Sequence, residues 1–222
     1  AYRSAIASTD TGLVQRNLIN ATLLEPLVTR LGLEHGRLLD VAGGYGLLTR
    51  LLRDRGFDAY SHDPHCQNLF AAGHDPGDAA AGFQADLLMA FEVLEHVEDG
   101  VAFLRGLFER HGCRTLVLST TTFDGAPPGP DWAYYAFETG QHIAFYQRRT
   151  LQMLAQRIGV RHHVLRSGLH LFTDRALPDA FHRVERSGVL SRWVAWRVRR
   201  ARRGLSLTQA DHEAAKRRLA GP

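Results

Sequence analysis

The sequence lacks most of what would mark a secreted, disulfide-stapled or membrane-spanning protein. It has two cysteines, Cys66 and Cys113, in 222 residues. That is too few for a disulfide framework or a four-cysteine zinc site. No run approaches the roughly 18 apolar residues of a spanning helix, and the N-terminus shows no apolar secretory core. The expectation is a cytoplasmic protein with no transmembrane segment. Lysine is nearly missing too: Lys216 is the only one, so arginine carries the basic charge throughout. What is present is ordinary for a folded domain. Hydrophobic residues make up 45% and charged residues 23%, which excludes wholesale disorder. The length fits one domain with an appendage.

Acidic charge is scarce in one region. From Arg183 onward there are 11 basic and 3 acidic residues, leaving 16 basic and 20 acidic in residues 1–182. The formal net charge of +4 therefore divides into −4 for the body and +8 for the tail. Such a tail is suited to RNA or to an anionic surface.

Hydrophobic periodicity organises the rest. Residues 1–36 form a helical lead-in, with Pro26 expected to break or kink it. Short apolar strands follow at 37–41, 58–61, 86–91 and 114–120, with a weaker one near 82–84. Helices are expected at 47–55, 101–111 and 150–158, and a closing strand pair at 160–165 and 169–172. This alternation predicts an α/β fold, a doubly wound, mostly parallel sheet with helices on both faces. The expected domain boundaries are 1–182 for the main domain and 183–222 for a basic helical extension.

Sheets of this kind bind ligands at the carboxyl ends of their strands. The first such turn reads Asp40-Val41-Ala42-Gly43-Gly44-Tyr45-Gly46. Small residues there let the backbone approach a ligand closely. A dinucleotide fingerprint would need a third glycine where Thr49 stands. Asp40 would also repel a pyrophosphate, whereas it attracts a nucleoside cofactor bearing sulfonium and ammonium charges. Asp63, at the end of the second strand, is positioned to accept hydrogen bonds from ribose hydroxyls.

The turn Leu39–Gly46, Asp63, and the run Asp86-Leu87-Leu88-Met89-Ala90-Phe91-Glu92-Val93-Leu94-Glu95-His96-Val97 resemble the class I S-adenosylmethionine-dependent methyltransferases, over residues 35–172. The resemblance implies a Rossmann-like seven-stranded sheet whose last strand is antiparallel. It implies cofactor contacts from Asp40, Ala42, Gly43, Gly44, Gly46, Asp63, Phe91 and Glu92. Ala42 departs from the family's glycine, a change small in size. Phe70, Phe83 and Gln84 are the candidates for adenine contacts.

Glu92, Glu95 and His96 follow the third strand, and His142 lies in a later Gln-His-Ile segment. The pattern is similar to small-RNA 2′-O-methyltransferases that hold a divalent metal and to ubiquinone-biosynthesis O-methyltransferases. Two carboxylates and two imidazoles would suit Mg²⁺ or Mn²⁺. In metal-free relatives His96 or His142 would act as general base, with Glu95 as a further catalytic residue. Trp132, Tyr134, Tyr135 and Phe145 belong to an aromatic-rich segment suited to lining an acceptor pocket, or to packing a long loop. The expectation is O-methylation of a small-molecule or saccharide hydroxyl, with RNA ribose methylation and a non-catalytic cofactor-binding module as alternatives. His62, Asp63, His65 and Cys66 lack a second ligand pair at zinc spacing.

Overall fold

The computed structural model describes residues 11–79 and 82–220; the first ten residues of the expected lead-in and two of the three consecutive alanines lie outside the described residues. The main sheet has six strands in the order β2-β1-β3-β4-β8-β7. These are β1 (Arg37–Val41), β2 (Asp58–His62), β3 (Leu87–Phe91), β4 (Thr115–Ser119), β7 (Arg161–Val164) and β8 (His170–Thr173). Two-residue strands β5 (Thr122–Phe123) and β6 (Tyr146–Gln147) pair separately. The chain divides into two compact units, residues 1–86 with 177–222, and residues 87–176.

In the first unit β1 and β2 run parallel, with Asp40 opposite Ser61. Around them lie α1 (Leu13–Arg30), α2 (Leu47–Arg53), α5 (Asp179–Arg186), α6 (Gly188–Ala201) and α7 (Thr208–Ala220). The helix α1 runs through Pro26, so the proline does not break it. A central proline costs a helix about 3 kcal/mol, but Leu24, Leu27 and Val28 are buried around it. Burial of each such side chain contributes roughly 1.5–3 kcal/mol, enough to outweigh the local penalty.

The strand expected near 82–84 does not form, so the sheet has six strands and not seven. Gly82 has φ +84°, outside the extended region that a strand requires. Phe83 packs its ring against Tyr60 at 4.8 Å.

The second unit pairs β3 with β4 in parallel, and β8 antiparallel to both β4 and β7. The reversed strand is thus present. Leu87, Leu88, Met89, Leu116, Val117 and Leu118 are fully or nearly fully buried, the continuous apolar runs of strands covered on both faces. The helices are α3 (Gly100–His111) and α4 (Arg148–Arg157). Asp99 caps α3 by accepting from Ala102 N at 2.9 Å, and Gly112 ends it in the left-handed conformation. Among the described residues no helix is long and apolar enough to cross a membrane.

Candidate active site

In the first unit the glycine turn is built over two polar side chains. A Cβ on Gly43 would collide with the Ser61 hydroxyl and the Asp40 carboxylate, so only glycine fits there. Ser61 Oγ is buried without a hydrogen-bond partner. Asp40 is almost fully buried, and its pKa is pushed up to about 7 by burial and then by the charge of Asp63. Gly46 has φ +81°, and a Cβ there would strike Asn68. Asp63 holds the turn from outside: Gly44 N donates to Oδ2 at 3.0 Å and His65 N to Oδ1 at 2.8 Å.

Ala42 has φ +89°. The change from glycine is small in size but places a Cβ in a backbone region that L-residues avoid. Of the adenine candidates, Phe83 is engaged by Tyr60, and Gln84 is exposed. Phe70 lines a cavity of about 280 Å³ together with Arg50, His74, Asp211 and Arg218. The Cys66 thiol is pushed up to about 12 by burial and by Asp63, which leaves it a protonated, unreactive group.

In the second unit the chain zips two segments together. Glu95 O accepts from Ile143 N at 2.8 Å and from Ala144 N at 3.0 Å. His96 Nδ1 meets Gln141 O at 2.8 Å, and His142 Nδ1 meets Tyr134 O at 2.6 Å. A carbonyl oxygen only accepts, so both rings carry a proton on Nδ1 and turn Nε2 away from that bond. The two rings lie 4.8 Å apart, edge to face.

Glu95 completes the group. Its Oε1 accepts from the Tyr134 hydroxyl at 2.7 Å, while Oε2 is buried without a partner. Burial and then the charge of Glu92 push its pKa up to about 7, against the lowering effect of the Tyr134 hydrogen bond. Burial lowers the His96 pKa, so that ring is neutral near pH 7. Ligand atoms of Glu95, His96 and His142 lie within 4.8 Å of one another.

Glu92, expected as a fourth member, is not in that group. It sits at φ +53°, its N–H donating to Ser119 Oγ at 3.0 Å while the Ser119 hydroxyl donates to its Oε1 at 2.5 Å. Phe91 ends β3, in register with Ser119. The aromatic residues pack largely on one another: Trp132 lies 5.3 Å from Tyr134, 5.1 Å from Tyr135 and 5.8 Å from Phe145. The Tyr134 hydroxyl also accepts from Thr121 N at 3.0 Å. Sequence reasoning missed Ser61 and Ser119. Each stands at or near the carboxyl end of a parallel strand, and that position was the available signal.

A family model described as a methyltransferase domain matches residues 15–163. The chain belongs to that family. It is a class I S-adenosylmethionine-dependent methyltransferase, in agreement with the resemblance drawn from its motifs. No curated protein matches the sequence. Among solved structures it is similar to magnesium protoporphyrin IX methyltransferase (ChlM) from Synechocystis PCC 6803. That likeness has a TM-score of 0.48 at 15% identity, over 76% of this chain and 91% of that one. It is also similar to a mitomycin 7-O-methyltransferase, with a TM-score of 0.48 at 14% identity over 69% of this chain and 53% of that one. An O-methyltransferase family protein from Burkholderia thailandensis gives 0.48 at 15% identity, over 76% and 61%. The chain thus spans less than two thirds of the latter two.

Proposed function

We propose that the enzyme transfers the S-adenosylmethionine methyl group to the oxygen of a small-molecule or saccharide hydroxyl, with Glu95, His96 and His142 as the acceptor-side centre. The carrying observation is the buried, unpartnered Glu95 Oε2 beside two imidazoles whose rings are oriented by Nδ1–H···O=C bonds.

On the cofactor side, Gly43 and Gly46 admit a ligand against the backbone, and Ser61 Oγ and Asp40 are the polar groups beneath the turn. Ala42 and Gly44 belong to the same turn after β1, and Phe91 and Glu92 stand at the carboxyl end of β3. S-adenosylmethionine supplies an electrophilic methyl on a sulfonium. The Asp40 carboxylate neutralises the ammonium of its methionine part. The Asp63 oxygens, each with a lone pair beyond its backbone bond, accept from the ribose hydroxyls.

On the acceptor side the donor set fits a divalent cation. One carboxylate oxygen and two imidazole nitrogens, each imidazole oriented by a carbonyl, form a coordination set with its supporting hydrogen bonds. Two nitrogens in three donors favour Mn²⁺ over Mg²⁺, which prefers oxygen. Such an ion acts as a Lewis acid that lowers the pKa of a hydroxyl. One observation favours a metal-independent version of the same chemistry: a carboxyl with pKa about 7 is tuned to take a proton from the acceptor near neutral pH.

The test is methyl transfer from labelled S-adenosylmethionine to a panel of phenols, sugar hydroxyls and amines, with products identified by mass spectrometry. Methyl ethers formed by the wild type and lost in Glu95→Gln are expected. Methylated amines as the only products would contradict transfer to oxygen. Activity that survives EDTA, with Glu95→Gln inactive, selects the general-base version.

A further inference from the structure

The outward face of α6 has no role in the site. Val189, Trp193 and Trp196 fall at i, i+4 and i+7 and share one face. They are 72%, 49% and 55% exposed. Arg192 and Arg199 flank this row on one side and Arg197 on the other, while Arg200 continues along it; all four are exposed. No acidic residue occurs between Gly188 and Ala210.

This orientation is fixed by the opposite face. Arg202 turns inward, donating to Arg55 O at 3.2 Å and Gly56 O at 2.9 Å, with its guanidinium 3.7 Å from the centre of the Phe57 ring. Leu190, Val194 and Val198 are half-buried on the inner side. The helix is therefore docked with its tryptophans facing out.

We propose that this face binds an anionic lipid bilayer, lying in the interface plane. An apolar, tryptophan-bearing row bordered by arginines buries its rings at headgroup depth while the guanidinium groups reach lipid phosphates. Other occupants fit less well. Arg197 lies over the Trp193 ring at 4.8 Å and Arg200 over Trp196 at 5.8 Å. Those are the ring faces that nucleobases would need for stacking. A second copy of the face would set arginine against arginine.

The test uses the full chain with vesicles of phosphatidylcholine alone, and with roughly one third phosphatidylglycerol added, followed by flotation and tryptophan emission. The wild type is expected to float with the anionic vesicles, with a blue-shifted emission, and to remain behind with the neutral ones. Trp193→Ser/Trp196→Ser should weaken that binding by about tenfold or more, since it removes most of the buried apolar area. A triple variant, Arg192→Gln/Arg197→Gln/Arg200→Gln, should do the same by removing charge. Circular dichroism checks that both remain folded. The proposal is overturned by no binding to anionic vesicles, by equal binding by the folded variants, or by displacement of wild type from vesicles by single-stranded RNA at lower concentration than by free lipid. Concentration-dependent self-association that the tryptophan pair abolishes while vesicle binding is unaffected also overturns it.

Discussion

The Tyr134 hydroxyl donates to Glu95 Oε1 at 2.7 Å, and the Tyr134 carbonyl oxygen accepts from His142 Nδ1 at 2.6 Å. One residue from an irregular segment thus orients two members of the acceptor-side group. Burial and the charges of Glu95 and Glu92 hold the phenol pKa above its ordinary value, so it remains a donor.

Tyr134→Phe removes the donor and keeps the ring. Glu95 loses a bond that lowers its pKa, so the carboxyl protonates at higher pH. Methyl transfer should fall by about tenfold at pH 7 and recover part of that loss at pH 8–9, because a positioning partner of this kind is worth roughly 10–100-fold. A pH–rate profile checks it: an unshifted acidic limb would show that Tyr134 only packs.

Asp40, with a pKa of about 7, must be ionised to hold an ammonium group. The affinity for S-adenosylmethionine should therefore rise between pH 6 and 8 and be accompanied by proton release. The sign for stability is opposite. The folded pKa lies above that of the unfolded carboxyl, so the contribution of Asp40 is complete below about pH 4 and is lost as pH rises through 7. Asp40→Asn should flatten both dependences, measured by calorimetry and by thermal melts of the free protein.

Ala42 stands at φ +89°. Ala42→Gly removes strain of about 1–2 kcal/mol at a cost in chain entropy of about half that, for a net stabilisation of roughly 0.5–1 kcal/mol. Denaturant titration reads the change. Equal or lower stability in the glycine variant would argue against strain at this position.

Asp211, on α7, accepts from Arg53 Nε at 2.8 Å and Nη2 at 2.7 Å, and from Arg50 Nη1 at 2.8 Å. Arg53 is buried, and without Asp211 its guanidinium keeps only Asp58 Oδ1 at 2.9 Å and Ala59 O at 3.1 Å. Because Asp58 still compensates part of that charge, Asp211→Ala should destabilise the protein by roughly 2 kcal/mol, below the full penalty of an unpaired buried ion. A loss below about 1 kcal/mol, the range of surface pairs, would show that α7 is not held through this bond.

The features legible in the sequence are those with a short period or a fixed spacing. The strand, turn and helix from Arg37 to Arg53 follow from apolar runs and a glycine cluster, and the run from Glu92 to His96 stands directly after a strand. Other features depend on contacts between distant positions. Nothing local to Tyr134 says that its hydroxyl goes to Glu95, or that Asp211 answers Arg53. The Glu-x-x-Glu-His spacing joins Glu92 to Glu95, yet nothing local says that its backbone turns left-handed and that the Ser119 hydroxyl takes its Oε1. The continuation of α1 past Pro26 depends on burial that local propensity does not contain.

The most direct measurement is a titration of the wild type and of Glu95→Gln with Mn²⁺ in the presence of S-adenosylhomocysteine, followed by calorimetry at pH 6 and pH 8. One site per chain in the wild type is expected, tighter at pH 8 because Glu95 must lose its proton, and absent in the variant. No binding by the wild type, or equal binding by both proteins, would contradict a metal centre built on Glu95, His96 and His142.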